Sequence, residues 1–291
     1  MLQVCLNGSR DRAVCEALPM TARELGDAAA EAVAAGARDV HLHPRDGDGA
    51  DTMAAVFVDA AVAAVRASAP GVPVGVTTGA WTEPDPARRA ALVRSWSVLP
   101  DHASVNWHEE GAQAVAEALL GVGVRIEAGV FSGTDAVARL RAWPHAGRVL
   151  RVLAEVTDTD PRTAPAAALR LLAELADDGG AGDGAGGTAG GPGGSAVGAG
   201  GSGAGARRGG SGRRGLRGVP VLLHGEDGGA WPVLGLAAER GLDTRIGLED
   251  VLTLPDGAPA PDNASLVRAA LEVIGHGGAG STPAGGRRSR W

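Results

Sequence analysis

Eight short apolar runs follow one another along this chain, and each is followed by a segment of helical period. No other feature narrows the possible folds as far. The runs at residues 3–6, 39–43, 73–77, 102–106, 123–127, 149–155, 220–224 and 244–249 read as strands. The segments at residues 22–35, 52–67, 86–98, 111–120, 134–142, 164–176, 230–239 and 263–274 read as helices. Thr21 stands three residues before Glu24, the spacing of a capping box, and Asp262-Asn263 precedes the last helix. Gly36, Gly121 and Gly241 fall where helices should end. Eight strand–helix repeats are the count of an α/β (β/α)8 TIM barrel. An open, doubly wound sheet is the alternative. It loses ground because no G-x-G-x-x-G follows the first strand.

Residues 179–215 break the pattern. They are dominated by glycine and carry almost no large apolar side chain, so a flexible, disordered insert is expected there. Without these 37 residues the 291-residue chain keeps 254, close to the ~250 typical of a barrel. The insert joins the sixth helix to the seventh strand, on the face away from barrel active sites, so its glycine is not read as a phosphate cradle. Residues 276–291 read as a disordered tail. A single catalytic domain over residues 1–275 is therefore expected.

Composition removes several chemistries. All 27 basic residues are arginine, and tyrosine is absent. A Schiff-base aldolase, a PLP enzyme, a P-loop lysine and a Tyr-Lys hydride-transfer pair are thereby excluded. The net charge of −7 argues against nucleic acid as a partner. Two cysteines, Cys5 and Cys15, are too few for a disulfide framework, and a cytoplasmic setting is expected. No secretory leader and no membrane span are expected.

In a barrel, functional side chains should gather where strands end. The second strand ends in His41-Leu42-His43-Pro44-Arg45-Asp46. Residues two apart on a strand share a face, about 7 Å apart, which suits a shared metal. The eighth reads Thr244-Arg245-Ile246-Gly247-Leu248-Glu249-Asp250, and alternation puts Arg245, Gly247 and Glu249 on one face. The eighth strand closes onto the first, beside the second. His41, His43 and Glu249 then make a His2Glu set with open positions, the pattern of catalytic zinc. Asp250 could be a general base, with Arg245 tuning it or holding an anionic substrate; an ordinary Arg245–Asp250 ion pair is the alternative.

Other strand ends add Asn7-Gly8-Ser9-Arg10, Thr77-Thr78-Gly79, Ser104 and Asn106, Glu127, and His224-Gly225-Glu226-Asp227. The last is the rival metal or acid–base site, and is preferred as a support or substrate contact. His102, His108 and His145 read as structural or exposed, and Cys5 as core. Trp81 and Trp107 could wall a pocket or simply pack.

These residues resemble the β-keto acid cleavage enzymes over residues 2–176 and 219–274. The shared motifs are the Asn7-Gly8 turn, Ala35-Gly36-Ala37 leading into the H-x-H-x-R-D run, Thr77-Thr78-Gly79, Ala103-Ser104-Val105-Asn106, and the R-x-G-x-E-D run from Arg245 to Asp250. The resemblance implies a zinc-dependent (β/α)8 barrel, with His41, His43 and Glu249 as ligands and Asp250 as base, supported by Arg245. Thr77 stands where the family often has serine, and Glu127 is a looser match for a catalytic position. Asn7, Arg10, Ser104 and Asn106 are expected as substrate contacts. The implied reaction combines a β-keto acid with acetyl-CoA to give acetoacetate and a new CoA thioester. Asp250 would remove a proton from the acetyl methyl group. A homo-oligomer is also implied.

Two positions depart from the family pattern. Arg10 stands where members acting on amines are expected to carry an acid, so a substrate anionic or neutral at its far end is expected. The sixth strand runs into Glu155-Val156-Thr157-Asp158-Thr159-Asp160-Pro161 rather than a glycine-rich loop. This keeps a metal-dependent retro-aldol lyase without CoA as a second reading. A non-catalytic metal-binding scaffold is the third.

Overall fold

In the computed structural model, which describes residues 1–177 and 216–278, all eight expected strands form. They are β1 (Leu2–Cys5), β2 (Asp39–Leu42), β3 (Val74–Val76), β4 (His102–Asn106), β5 (Arg125–Phe131), β6 (Arg151–Val156), β7 (Val221–Gly225) and β8 (Asp243–Ile246). Each pairs in parallel with the next, and Leu2 of β1 pairs with Thr244 of β8, so the sheet closes into a barrel. The crossovers are α1 (Ala22–Ala35), α2 (Ala55–Ser68), α3 (Pro86–Ser95), α4 (Ala112–Val122), α5 (Ala136–Ala142), α6 (Ala164–Ala176) and α7 (Ala230–Glu239). Helix α8 (Asn263–Gly278) follows β8. Helices cover the outside of the strands and the barrel interior takes their other face, so β1, β2 and β4 are buried along their whole length.

The layer between strands and helices is aliphatic, with Val40, Leu42, Val74, Val76, Val62 and Leu25 in one core. The lower part of the barrel interior is polar. Gln3 of β1 donates to Asp39 Oδ1 at 3.0 Å and reaches across to Glu127 Oε1 of β5 at 3.3 Å. Arg151 of β6 lies between the two acids, 3.0 Å from Asp39 Oδ2 and bonded through Nε to Glu127. His102 Nε2 is 2.9 Å from Asp39 Oδ1. Gly75 leaves room for that ring, since a Cβ there would lie 2.1 Å from it. Buried ions are tolerated only when paired, and here each acid meets a cation.

Local chemistry sets the element ends. Thr21 Oγ1 accepts from Glu24 N, and Glu24 Oε2 accepts from Thr21 N at 3.0 Å, which completes the expected capping box. Thr21→Ala removes half of it and should cost about 1 kcal/mol, read as a lower midpoint in urea. Gly36 ends α1 at φ 122°.

Several boundaries differ from the sequence reading; α2 starts at Ala55 rather than residue 52, and α3 stops at Ser95 rather than residue 98. Helix α4 runs past Gly121 and ends at Gly123, whose φ of 84° suits glycine. Strand β5 continues four residues beyond Glu127, because 127–131 pair with β6. Strand β8 stops at Ile246, where Asp250 N and Val251 N both turn back onto the Gly247 carbonyl. Helix α8 continues to Gly278, three residues into the expected tail. The expected insert at 179–215 and the rest of the tail lie outside the described residues. The insert does join α6 to β7, as expected. Among the described residues no helix is long and apolar enough to cross a membrane.

Candidate metal centre and active site

His41 is the third residue of β2, and His43 follows the strand directly. Glu249 lies in the turn after β8, so the turn delivers it rather than strand alternation. Its neighbour across the mouth is Gly8, at φ 57°. A Cβ on Gly8 would lie 2.4 Å from Glu249 Cγ, so the Asn7-Gly8 turn needs glycine for both shape and space.

The three side chains converge. His41 Nε2 is 3.9 Å from Glu249 Oε2, and His43 Nε2 is 3.7 Å from Glu249 Oε1. One ligand atom from each lies within 4.8 Å of the others. These gaps are too long for hydrogen bonds and right for two imidazoles and a carboxylate around a divalent cation. Glu249 Oε2 and His41 Nδ1 are buried and have no hydrogen-bond partner. Burial holds His41 neutral, with its pKa down to about 3. Burial opposes charge on His43 as well, but Glu249 and Asp51 outweigh it and raise its pKa to about 9. The centre therefore calls for a positive charge, and the donor set fits a metal.

His43 is held from behind. Its Nδ1 lies 3.2 Å from Asp51 Oδ2, which leaves Nε2 facing Glu249. Asp51 also accepts from Trp81 Nε1 at 2.8 Å and pairs with Arg45 at 3.0 Å. Trp81 stacks on the His43 ring, with centroids 5.8 Å apart. A carboxylate behind a ligating histidine fixes its tautomer and strengthens it as a ligand. Asp51→Ala should weaken metal affinity about 10- to 100-fold, measured by competition with a chelating dye. Sequence reasoning missed Asp51. The one available signal was an acid soon after H-x-H-x-R-D, brought back by the Arg45–Asp51 bridge.

Asp250 sits beside the centre, almost fully buried. Arg245 Nε and Nη2 both donate to its Oδ1, at 3.1 and 2.9 Å, and Nη2 also reaches Glu249 at 3.0 Å. This is a buried ion pair whose second carboxylate oxygen, Oδ2, is left without a partner. Burial pushes its pKa up to about 6 against Arg245 and His224, with help from Glu249. A cavity of about 300 Å³ opens over this group, lined among others by Arg10, His43, Trp81, Glu249 and Asp250. That is the lower end of small-molecule site volumes.

Several expected residues stand elsewhere. Asn7 directs both ends of its amide to the backbone of His43, at 2.9 Å each, and so positions a ligand rather than a substrate. Arg10 reaches the mouth but already meets Asp227 and the Glu249 carbonyl. Glu127 lies in the ionic layer below, because β5 does not end there. Thr77 accepts from Gly79 N, and Asn106 donates to Glu109 at 3.0 Å. Ser104 is buried on β4, opposite Glu127. Neither Thr77, Ser104 nor Asn106 lines the cavity. Of the two readings open for each tryptophan, Trp81 walls the cavity, whereas Trp107 packs in the core against Trp143. Glu226 and Asp227, from the run expected as a support or substrate contact, line the cavity, as does Glu155, which was not expected as a site residue.

The model of the β-keto acid cleavage enzymes matches residues 1–139 and 220–289, most of the chain. The chain belongs to this family. Among solved structures it is similar to ObcA in a binary complex with oxaloacetate. The two share 20% identity at a TM-score of 0.60, covering 89% of this chain and 64% of that one. The apo structure of ObcA gives 20% identity and 0.58, covering 89% and 62%. This member of the family thus spans under two thirds of the ObcA chain, and at that identity the likeness concerns the fold. No curated protein matches its sequence.

Proposed function

We propose that the chain is a zinc-dependent β-keto acid cleavage enzyme. It would combine a β-keto acid with acetyl-CoA to give acetoacetate and a new acyl-CoA. The observation that carries this reading is the convergence of His41, His43 and Glu249 beside Asp250, whose Oδ2 is free while Arg245 holds Oδ1. Family membership supports it. ObcA, which shares the fold, is seen with oxaloacetate, itself a β-keto acid.

A bound zinc ion would supply Lewis acidity that polarises a carbonyl oxygen. The residues then divide the work. Asp250 takes a carbon-bound proton through Oδ2, its pKa near 6 leaving it ionised yet basic enough at neutral pH. Arg245 fixes Asp250 in place and keeps it next to Glu249. Trp81 and Phe131 wall the cavity.

Arg10 was expected to go with a substrate anionic or neutral at its far end; it meets Asp227, and Glu155 and Glu226 line the same mouth, so the tail is best read by experiment. A panel of β-keto acids with amine, neutral and carboxylate tails should therefore be run on zinc-loaded protein, with and without acetyl-CoA. Acetoacetate and a new thioester formed only with acetyl-CoA support the proposal. Cleavage that ignores acetyl-CoA supports the retro-aldol reading, and no turnover of any acid overturns both.

A further inference from the structure

Strand β6 brings one carboxyl group to the mouth that the mechanism above does not use. Glu155 is buried on β6 and lines the cavity. Its place is prepared by a neighbour. A Cβ on Gly129 of β5 would lie 3.0 Å from Glu155 Oε1 and 2.8 Å from Asn106 Oδ1, so the glycine makes the space that Glu155 fills. On its other side stands His224 of β7, directly across in register. Glu155 Oε2 is 3.5 Å from His224 Nε2, and His224 Nδ1 is 3.5 Å from Asp250 Oδ1. Both ring nitrogens are buried and lack a hydrogen-bond partner. Such contacts commonly lie just outside hydrogen-bond range before substrate binds.

We propose that Glu155, held beside His224, is a second proton-transferring group of the site and the donor that completes carbon–carbon cleavage. The inference rests on the function proposed above. By this stage the carbon next to the substrate carboxylate has lost a proton to Asp250 and taken the acetyl group, and the released CoA thiolate has added to the keto carbon. The bond between those two carbons then breaks: the keto carbon becomes the carbonyl of the new thioester, and the electron pair passes to the carbon next to the carboxylate. Glu155 gives that carbon a proton, and the O–H electron pair stays on Glu155 as a carboxylate. Asp250 takes one carbon-bound proton per turnover and Glu155 gives one, so the count is even, and exchange with water resets both. His224 is the positioning residue: its Nε2 accepts from protonated Glu155 while its Nδ1–H donates to Asp250.

The surroundings suit this role. Burial raises the Glu155 pKa to about 7 against the pull of Arg245 on β8; Glu249 and Glu127 add to the rise, and His108 after β4 opposes it. Glu226, in the loop after β7, is also raised, chiefly by burial, and interacts with Glu155. Burial and Arg245 keep His224 neutral, with its pKa down to about 4, so it can accept at one nitrogen and donate at the other.

The test compares the full chain with Glu155→Gln, Glu155→Asp and His224→Asn, all zinc-loaded. Product formation should fall about 100-fold in Glu155→Gln with bound zinc unchanged, and partly recover in Glu155→Asp. Wild-type kcat should decline as pH rises through the Glu155 pKa, and that limb should vanish in Glu155→Gln. Infrared difference spectra supply a readout free of turnover. Wild type should show a protonated carboxyl band near neutral pH that is absent from Glu155→Gln and shifted in His224→Asn. If wild type turns over and Glu155→Gln matches it in rate and pH profile, the inference fails while the proposed function stands. If wild type turns over no acid on the panel, the function fails. A missing wild-type carboxyl band overturns the inference even if the variants do not fold.

Discussion

His41→Ala should leave the barrel folded and take bound zinc from about one equivalent to almost none. In the proposed centre His41 is one of three donors, and His43 and Glu249 alone could not hold a catalytic zinc, which takes three protein ligands. Lewis-acid stabilisation is worth several kcal/mol, so turnover of a β-keto acid should drop about 1,000-fold or more. Elemental analysis after gel filtration, with a circular dichroism melt as control, checks both parts. Full zinc occupancy in the variant would remove His41 from the centre. An unchanged rate with zinc lost would instead favour a scaffold over an enzyme.

The second large effect is on stability. Arg151→Met should destabilise the fold by about 3–5 kcal/mol, because it leaves Asp39 and Glu127 buried without their shared cation. At about 2–4 °C per kcal/mol for a chain of this size, the melting temperature should fall by roughly 10 °C. The same layer sets an acid limit. Burial pushes the Asp39 pKa up, but His102 and Arg151 outweigh it and hold it at about 2, below its usual 3.8. A carboxyl that is more acidic when folded stabilises above its unfolded pKa and loses that contribution as pH falls through the folded value. Wild-type stability should therefore drop between about pH 4 and pH 2. Arg151→Met should show a flatter acid slope, measured by urea unfolding at each pH. Equal slopes would show that Arg151 does not hold Asp39 down.

Much of this was legible in the sequence. The eight strands and their order follow from apolar runs that must be buried on both faces, and H-x-H could be placed because two residues on a strand share a side. Glu249 was expected at the mouth for a reason that does not hold: β8 ends at Ile246, and the turn onto the Gly247 carbonyl carries it there. Glu127 was misplaced because a charged residue inside an apolar run looks like a strand end. Here it is paired by Arg151 from the neighbouring strand, and a single strand cannot show its neighbour's partner. Asn7, Asp51 and Glu155 share that difficulty. Their roles depend on His43, Trp81 and His224, which are near in space and unrelated by local spacing.

The ionic layer around Arg151 has a meaning for how this barrel can change over time. Its members come from β1, β2, β4, β5 and β6 and bind those strands together beneath the reactive mouth. The loops above are thus free to be exchanged, lengthened or recombined, because the floor they stand on does not depend on them. New substrate preferences could arise by trading mouth residues such as Arg10 and Glu226, with foldability carried by a different set of side chains.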